Sequence, residues 1–504
     1  MELTSSLFLL CLAALLVVYY LTPKRAQWCV LLAASWAYYL YTDVRAGAFL
    51  LASTLITYFC ARAIGRIYRA DPNDRRRAKA VLLAGMLSNL AILAVLKYAG
   101  FVLQNIGAVL HTSVPALRLL LPLGISYYTF QTVAYLLDVY WKRTEAQENV
   151  LRLALFVSFF PQLAQGPIGR YDRLAPQLYA GHAFDWENLR YGVWRFVWGM
   201  FKKMVLADWA GVFREAIFSA PEQYSGAAIF GVLLYTVELY GNFSGGMDMV
   251  IGVASLFGVK LDENFRRPFF SGSVTEFWQR WHITLGTWMK DYVFIPLSMS
   301  RFLRAFGRRA KKRFGKKTGR VLPLCLANLI VFFLVGVWHG PTWGNIGWGL
   351  YNGVIIASSN LLAGLYAKAK SRLGIRDDTK GWRLFTILRT FALMNLSWYF
   401  DCASSFGEAM QMIGWSLTRF QPAQLLTIAA GRAGTAYTPY ALLTLAAGTA
   451  LLFAVEVLQE RGTLGEVPER APRVLRAAAL LALVVSVPLL GPMSEARGFL
   501  YAQF

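Results

Sequence analysis

Apolar runs long enough, or nearly long enough, to cross a bilayer recur along this chain from residue 5 to residue 490, with no long polar stretch between them. That pattern leaves few folds open, because in hydrocarbon every backbone N–H and C=O must be satisfied inside the protein, and a helix does so segment by segment. The runs fall at about 5–22, 27–41, 46–61, 81–103, 119–139, 150–165 and 190–207, then 227–258 as one or two passes, 321–339, 343–366, 384–400, 436–457 and 473–490. Apolar residues make up 57% of the chain and charged ones 16%, with a mean hydropathy of +0.43, which excludes a water-soluble enzyme. The spacing predicts one all-α polytopic membrane domain over 1–504 with roughly 11 spans. The runs near 150, 227 and 321 are short or interrupted by polar residues and are candidates for re-entrant or interfacial segments.

Lysine and arginine number 51 against 28 acids, a net charge of +23. Seven of the basic residues fall between Arg62 and Lys79 and ten between Arg301 and Arg320, both groups beside apolar runs. That is the signature of cytoplasmic loops facing anionic lipid, and no nucleic-acid module is needed to explain it. The first run, Ser5 to Leu21, follows Glu2 and precedes Lys24 and Arg25, the reverse of a secretory signal, so it is expected to stay attached with its N-terminus outside. Cys11, Cys29, Cys60, Cys325 and Cys402 are scattered without a close pair of redox or metal type.

Residues Ser271 to Arg320 differ in kind. Trp278, Trp281, Trp288, Tyr292 and Phe294 alternate with Glu276, Arg280, His282, Lys290 and Asp291, which predicts an interfacial amphipathic helix at the cytoplasmic face, followed by a basic run. No internal repeat or appended soluble domain is visible.

The chain has only four histidines, His111, His182, His282 and His339, and their spacing excludes a zincin helix. His339 closes the apolar run LANLIVFFLVGVWHG, where an ionisable group is costly without a task or a partner. A neutral imidazole there suits a general base for a hydroxyl nucleophile; a histidine hydrogen-bonded between helices fits the same pattern. Gly336, Gly340 and Gly344 give that face a smooth surface for a neighbouring helix or a substrate chain, and Pro341 is expected to end the helix and leave carbonyls without partners. His282, in FWQRWHITLGTWMKDY, reads either as a solvated or packed histidine or as a site residue, and His111 and His182, in polar loop contexts, receive no role. Asp138, Glu238 and Asp248 lie in or beside apolar runs as salt-bridge partners or site residues, with Arg195, Lys202 and Lys203 as available cations.

Five blocks, in order, carry a family likeness: LPLGISYYTFQTVAYLLDVY (121–140), FVSFFPQLAQGPIGRYDRL (156–174), NFSGGMDMVIGVASLFG (242–258), NFRRPFFSGSVTEFWQRWHITLGTWMKDYVFIPL (264–297) and LVGVWHGPTWGNIGWGLYNG (334–353). Together with the terminal GFLYAQF, they resemble the membrane-bound O-acyltransferase family, in its bacterial branch that acetylates alginate or D-alanylates teichoic acid. The likeness makes 121–353 the motif-bearing core, with N-terminal helices in 1–120 and C-terminal helices in 354–504. It implies a bundle with a central tunnel, His339 as the catalytic histidine and His282 as the second, with Asp248, Asn242, Trp338 and Trp281 in support. Asn242 stands where alginate-type relatives carry an acid, which leaves Asp248 as the surviving carboxylate. The basic insert Arg301 to Arg320 is a second departure, where relatives continue with a glycine-rich segment.

The same resemblance implies an acyl group, acetyl first of all, carried from a cytoplasmic thioester to a hydroxyl of an envelope polysaccharide or to a secreted partner acyltransferase. Acetyl-CoA is the expected donor and a D-alanyl or acyl carrier protein the alternative, with no tightly bound cofactor or metal. The expected setting is the bacterial cytoplasmic membrane. The basic run suits the phosphates of CoA, an acidic carrier protein or membrane lipid alike. From other classes, an envelope-precursor transporter lacks support from inverted repeats, and a catalytically dead scaffold fits poorly with both histidines retained.

Overall fold

The computed structural model describes residues 2–113, 117, 119–163, 165–403, 405–433, 438–468, 472–492 and 498. Among them the secondary structure is helical, with a single antiparallel bridge, Phe265 to Trp281. Six helices are long and apolar enough to cross a membrane: Val44–Ala70, Arg75–Leu110, Ser225–Leu256, Arg301–His339, Pro439–Glu460 and Arg473–Leu490. Trp343–Leu361 and Ala363–Arg372, bent by 61°, make a seventh if taken as one broken span.

The difference from roughly eleven expected spans is one of length at most of the runs and of polarity at Lys380–Cys402, which has 23 residues. Ser6–Leu21 and Gln27–Thr42 have 16 residues each, about 24 Å of helix against a hydrocarbon core of about 30 Å. The run near 150 becomes Val150–Ser158 and Phe160–Leu163, too short to cross, as its polar interruptions predict. The run near 227 is instead one continuous helix, Ala228–Leu256, and the run at 321 lies in the helical stretch between Gly315 and His339.

Ala228–Leu256 is the central post, with 72% of its spanning window buried. It packs antiparallel on Trp186–Met200 through two glycine pairs. A Cβ on Gly252 would lie 2.6 Å from the Gly192 carbonyl oxygen, and one on Gly199 would lie 2.4 Å from that of Gly245. Without a hydrophobic drive between helices in lipid, this backbone-to-backbone approach is what yields dispersion energy. Past Met200 the chain continues through a π-helical segment, Phe201–Ala207. Its two consecutive lysines reach different acids, Lys202 to Asp248 (2.5 Å) and Lys203 to Asp208 (2.6 Å).

The basic stretch at 301–320 is helical but folded back. Gly315, at φ 82°, breaks it, and a Cβ on Gly319 would meet the Lys311 backbone at 2.5 Å, so residues 301–314 lie against the start of the span that leads to His339. Contacts gather the basic loops at one end of the bundle: Lys142 donates to the Pro72 carbonyl, Trp141 stacks on Tyr292, and Arg170 pairs with Asp291.

Gly252→Ala should cost about 1–3 kcal/mol by overpacking, whereas Gly381→Ala, with open space around it, should change stability by no more than about 0.5 kcal/mol. Thermal unfolding of the two variants in the same detergent checks the contrast.

Candidate active site

The WQRWH segment is not one amphipathic helix on a lipid surface. Val274–Arg280 stops at Trp281, His282 adopts φ 47°, and a second helix starts at Ile283–Met289. The aromatic residues face protein: Phe277, Trp281, Trp288 and Tyr292 are buried in one aromatic core with Phe130, Trp338, Trp348 and Trp398. The charged residues Glu276, Arg280 and Lys290 stay on the outer side, so the segment is amphipathic as expected, with its apolar face covered by the bundle instead of by lipid.

A left-handed backbone at a non-glycine residue needs support, and Asn264 supplies it. Its side-chain oxygen accepts from the Thr284 N–H and hydroxyl, both at 2.9 Å, and lies 3.3 Å from His282 Nδ1, while its carbonyl accepts from Ile283 N–H. Thr284 Oγ1 in turn accepts from Ile168 N–H, which ties the GPIGRY loop to the same turn. Phe243 meets the His282 ring edge-on at 4.8 Å.

His339 ends its helix and is buried. Its ring meets Trp348 at 4.6 Å and Trp338 at 5.1 Å, and Trp338 also meets His282 at 5.9 Å. The two histidines predicted from sequence therefore both pack on one indole. Trp338 is held by stacking on Phe130, which stacks on Trp288, whose indole N–H donates to the Phe130 carbonyl. Gly336 lets the next helix approach, since a Cβ there would meet the Asn345 carbonyl at 2.5 Å, so close packing explains the smooth glycine face.

A cavity of about 500 Å³ opens beside His282, lined among others by Gln279, Lys290, Asn328, Phe332 and Asn360. His282 borders it, and His339 is not among its lining residues. Of the expected central tunnel, the described residues show this cavity at His282.

The supporting residues separate. Trp281 is boxed by Phe265, Phe277 and Trp398 and acts as a core residue beside the site. Asn242 is buried on the central helix, next to Phe243. Asp248 belongs to another cluster: its carboxylate pairs with Arg195 and Lys202, each at 2.5 Å, and Arg195 also holds Glu263 at 2.7 Å. Both oxygens of Asp248 are thereby engaged by cations. Asp138 pairs with Arg143 and Tyr292, and Glu238 with Arg214. His182 bonds to the Gln177 carbonyl and His111 caps a helix. Sequence reasoning quoted Asn264 and Thr284 without singling them out. The terminal GFLYAQF likeness, Gly498 apart, lies outside the described residues.

Fold and site define a multi-pass membrane protein with two buried histidines around a tryptophan. The membrane-bound O-acyltransferase family matches residues 148–309. A probable alginate O-acetylase of Pseudomonas putida is 31% identical over 450 residues, covering 87% of this chain and 86% of that protein. A peptidoglycan O-acetyltransferase of Helicobacter pylori is 32% identical over 421 residues, 78% and 73% of the two chains. A teichoic acid D-alanyltransferase of Bacillus subtilis is 31% identical over 244 residues, 47% and 58%. The chain belongs to the membrane-bound O-acyltransferase family and is an O-acyltransferase.

Asp248→Ala should lower stability by about 3–5 kcal/mol, because it leaves buried cations uncompensated, yet the fraction that folds should retain its turnover per molecule. Asn264→Ala should do the converse, losing turnover beyond a stability cost of about 1–3 kcal/mol. Unfolding curves read beside active-fraction-corrected rates distinguish the two.

Proposed function

We propose that this chain moves an acetyl group from acetyl-CoA, entering at the basic face, to a hydroxyl of a cell-envelope polysaccharide or of a secreted partner that completes the transfer. The observation that carries the reading is the pair of buried histidines that both pack on Trp338, with a cavity lined by Lys290 reaching one of them. Acetyl-transferring relatives matched over most of the chain favour acetyl over D-alanyl, for which the likeness covers about half.

In this reading His339 takes the proton of the acceptor hydroxyl as its oxygen attacks the thioester carbonyl. The C–O bond forms, the C–S bond breaks, and the departing thiolate recovers a proton from the imidazolium. No acyl-enzyme is required, and holding donor and acceptor together supplies much of the rate. His282, fixed by Asn264 at the cavity wall, orients the thioester end of the donor. The Arg301 to Arg320 hairpin attracts the donor's phosphates, or an acidic carrier protein if the donor is protein-bound. The protein sits in the bacterial cytoplasmic membrane with the basic end inside and the N-terminus outside, in line with the positive-inside bias.

Purified protein in vesicles, given radiolabelled acetyl-CoA and envelope polymer or partner protein, should transfer label, and His339→Ala should lower transfer by about 10²–10⁴-fold while still binding acetyl-CoA. Transfer from a D-alanyl carrier alone would replace the donor. Loss of acetyl-CoA binding together with turnover would remove His339 from the chemistry.

A further inference from the structure

The helix that carries His339 stops inside the protein, and its last carbonyls need donors. Pro341 has no N–H to give the Val337 carbonyl, and Thr342 N–H turns to the Gly340 carbonyl at 2.9 Å instead of to Trp338. Two consecutive residues of Arg75–Leu110 fill both places. Tyr98 Oη donates to the Val337 carbonyl at 2.9 Å, and Lys97 Nζ donates to the Trp338 carbonyl at 2.6 Å and to Ser126 Oγ at 3.3 Å.

The same helix also reaches the far side of the turn. Phe101 packs on the Trp343 ring at 5.8 Å, and Asn105 accepts from the Trp343 indole N–H at 3.0 Å. Positions 97, 101 and 105 recur every four residues, so one helix face grips the chain before and after Gly340–Pro341. Lys97 is a buried cation in an apolar span, an expensive residue that persists where it has a task. Its ammonium sits where the carbonyl dipoles of the helix end converge, 5.6 Å from the centre of the Trp338 ring.

We propose that Lys97 is a positioning residue for His339. By fixing the Trp338 carbonyl, with Tyr98 fixing that of Val337, it sets the direction in which the His339 imidazole leaves the helix end. The inference rests on the reading of His339 as general base. It moves part of the site's machinery into the N-terminal helices, outside both the motif-bearing region 121–353 and the family match at 148–309.

The test uses the full chain in vesicles with acetyl-CoA and acceptor. Lys97→Met should lower kcat by about 10²-fold, the cost of misplacing a reacting group by about 1 Å, with KM for acetyl-CoA unchanged, and Lys97→Arg should recover most of the loss. Tyr98→Phe should lower kcat less, again without change in KM, and carries the test if Lys97→Met does not fold. Wild-type kcat in a folded Lys97→Met or Tyr98→Phe protein overturns the proposal, as does a KM that rises in step with the loss of kcat. If the wild-type protein transfers no acetyl group, the functional reading fails separately. The brace is then judged from modification of His339 by diethyl pyrocarbonate, followed by peptide mass spectrometry. A rate altered in Lys97→Met and restored in Lys97→Arg supports it; equal rates in all three proteins overturn it.

Discussion

Inside a bilayer no water can complete a hydrogen bond, so each polar group drawn into the interior has to bring its partner with it. Most of this structure follows from that demand. The Asp248 carboxylate is matched by Arg195 and Lys202, the strained turn at His282 by Asn264 and Thr284, and the truncated helix at His339 by side chains of a distant helix. Each of these clusters joins segments far apart in sequence, and each therefore fixes helix positions as well as satisfying charge or dipole.

Helical, membrane-spanning architecture was readable from the apolar runs, since hydropathy and length are local properties. The number of full spans was less so. Ser6–Leu21 and Gln27–Thr42 are apolar throughout, yet their lengths are set by caps and turns that hydropathy does not register. The two central histidines stood out because an imidazole is conspicuous beside Trp338 or among the charges of the WQRWH segment, and the ordered motifs gave them a common setting. What pairs with what was hidden: Lys202 and Lys203 are adjacent in sequence yet reach different acids, because neighbouring positions on a helix point in different directions. Asp248 looked like a site acid for the same reason, being visible as a buried carboxylate while its two cations were not assignable. Lys97 was an equally conspicuous charge in an apolar run, but its partner is a backbone carbonyl, which no pattern of side chains announces.

The aromatic core does more than fill space. Trp288, Phe130 and Trp338 form a stack with ring planes within 17° of one another in each pair, anchored by the bond from Trp288 to the Phe130 carbonyl. Flat rings locked in this way have few rotamers left to explore, so the indole on which His282 and His339 both pack is held as a rigid plate. Reaction geometry that must be held to a fraction of an ångström is well served by such a support.

That plate has a bearing on the membrane itself. An O-acyltransferase that draws its donor from one side and its acceptor from the other would short-circuit the ion gradient if the two approaches met in an open water column. Trp338 and Trp348 pack on the histidine rings, so a hydrated ion would meet aromatic side chains there. In the two-sided reading proposed above, the bilayer's electrical insulation then depends on this aromatic packing.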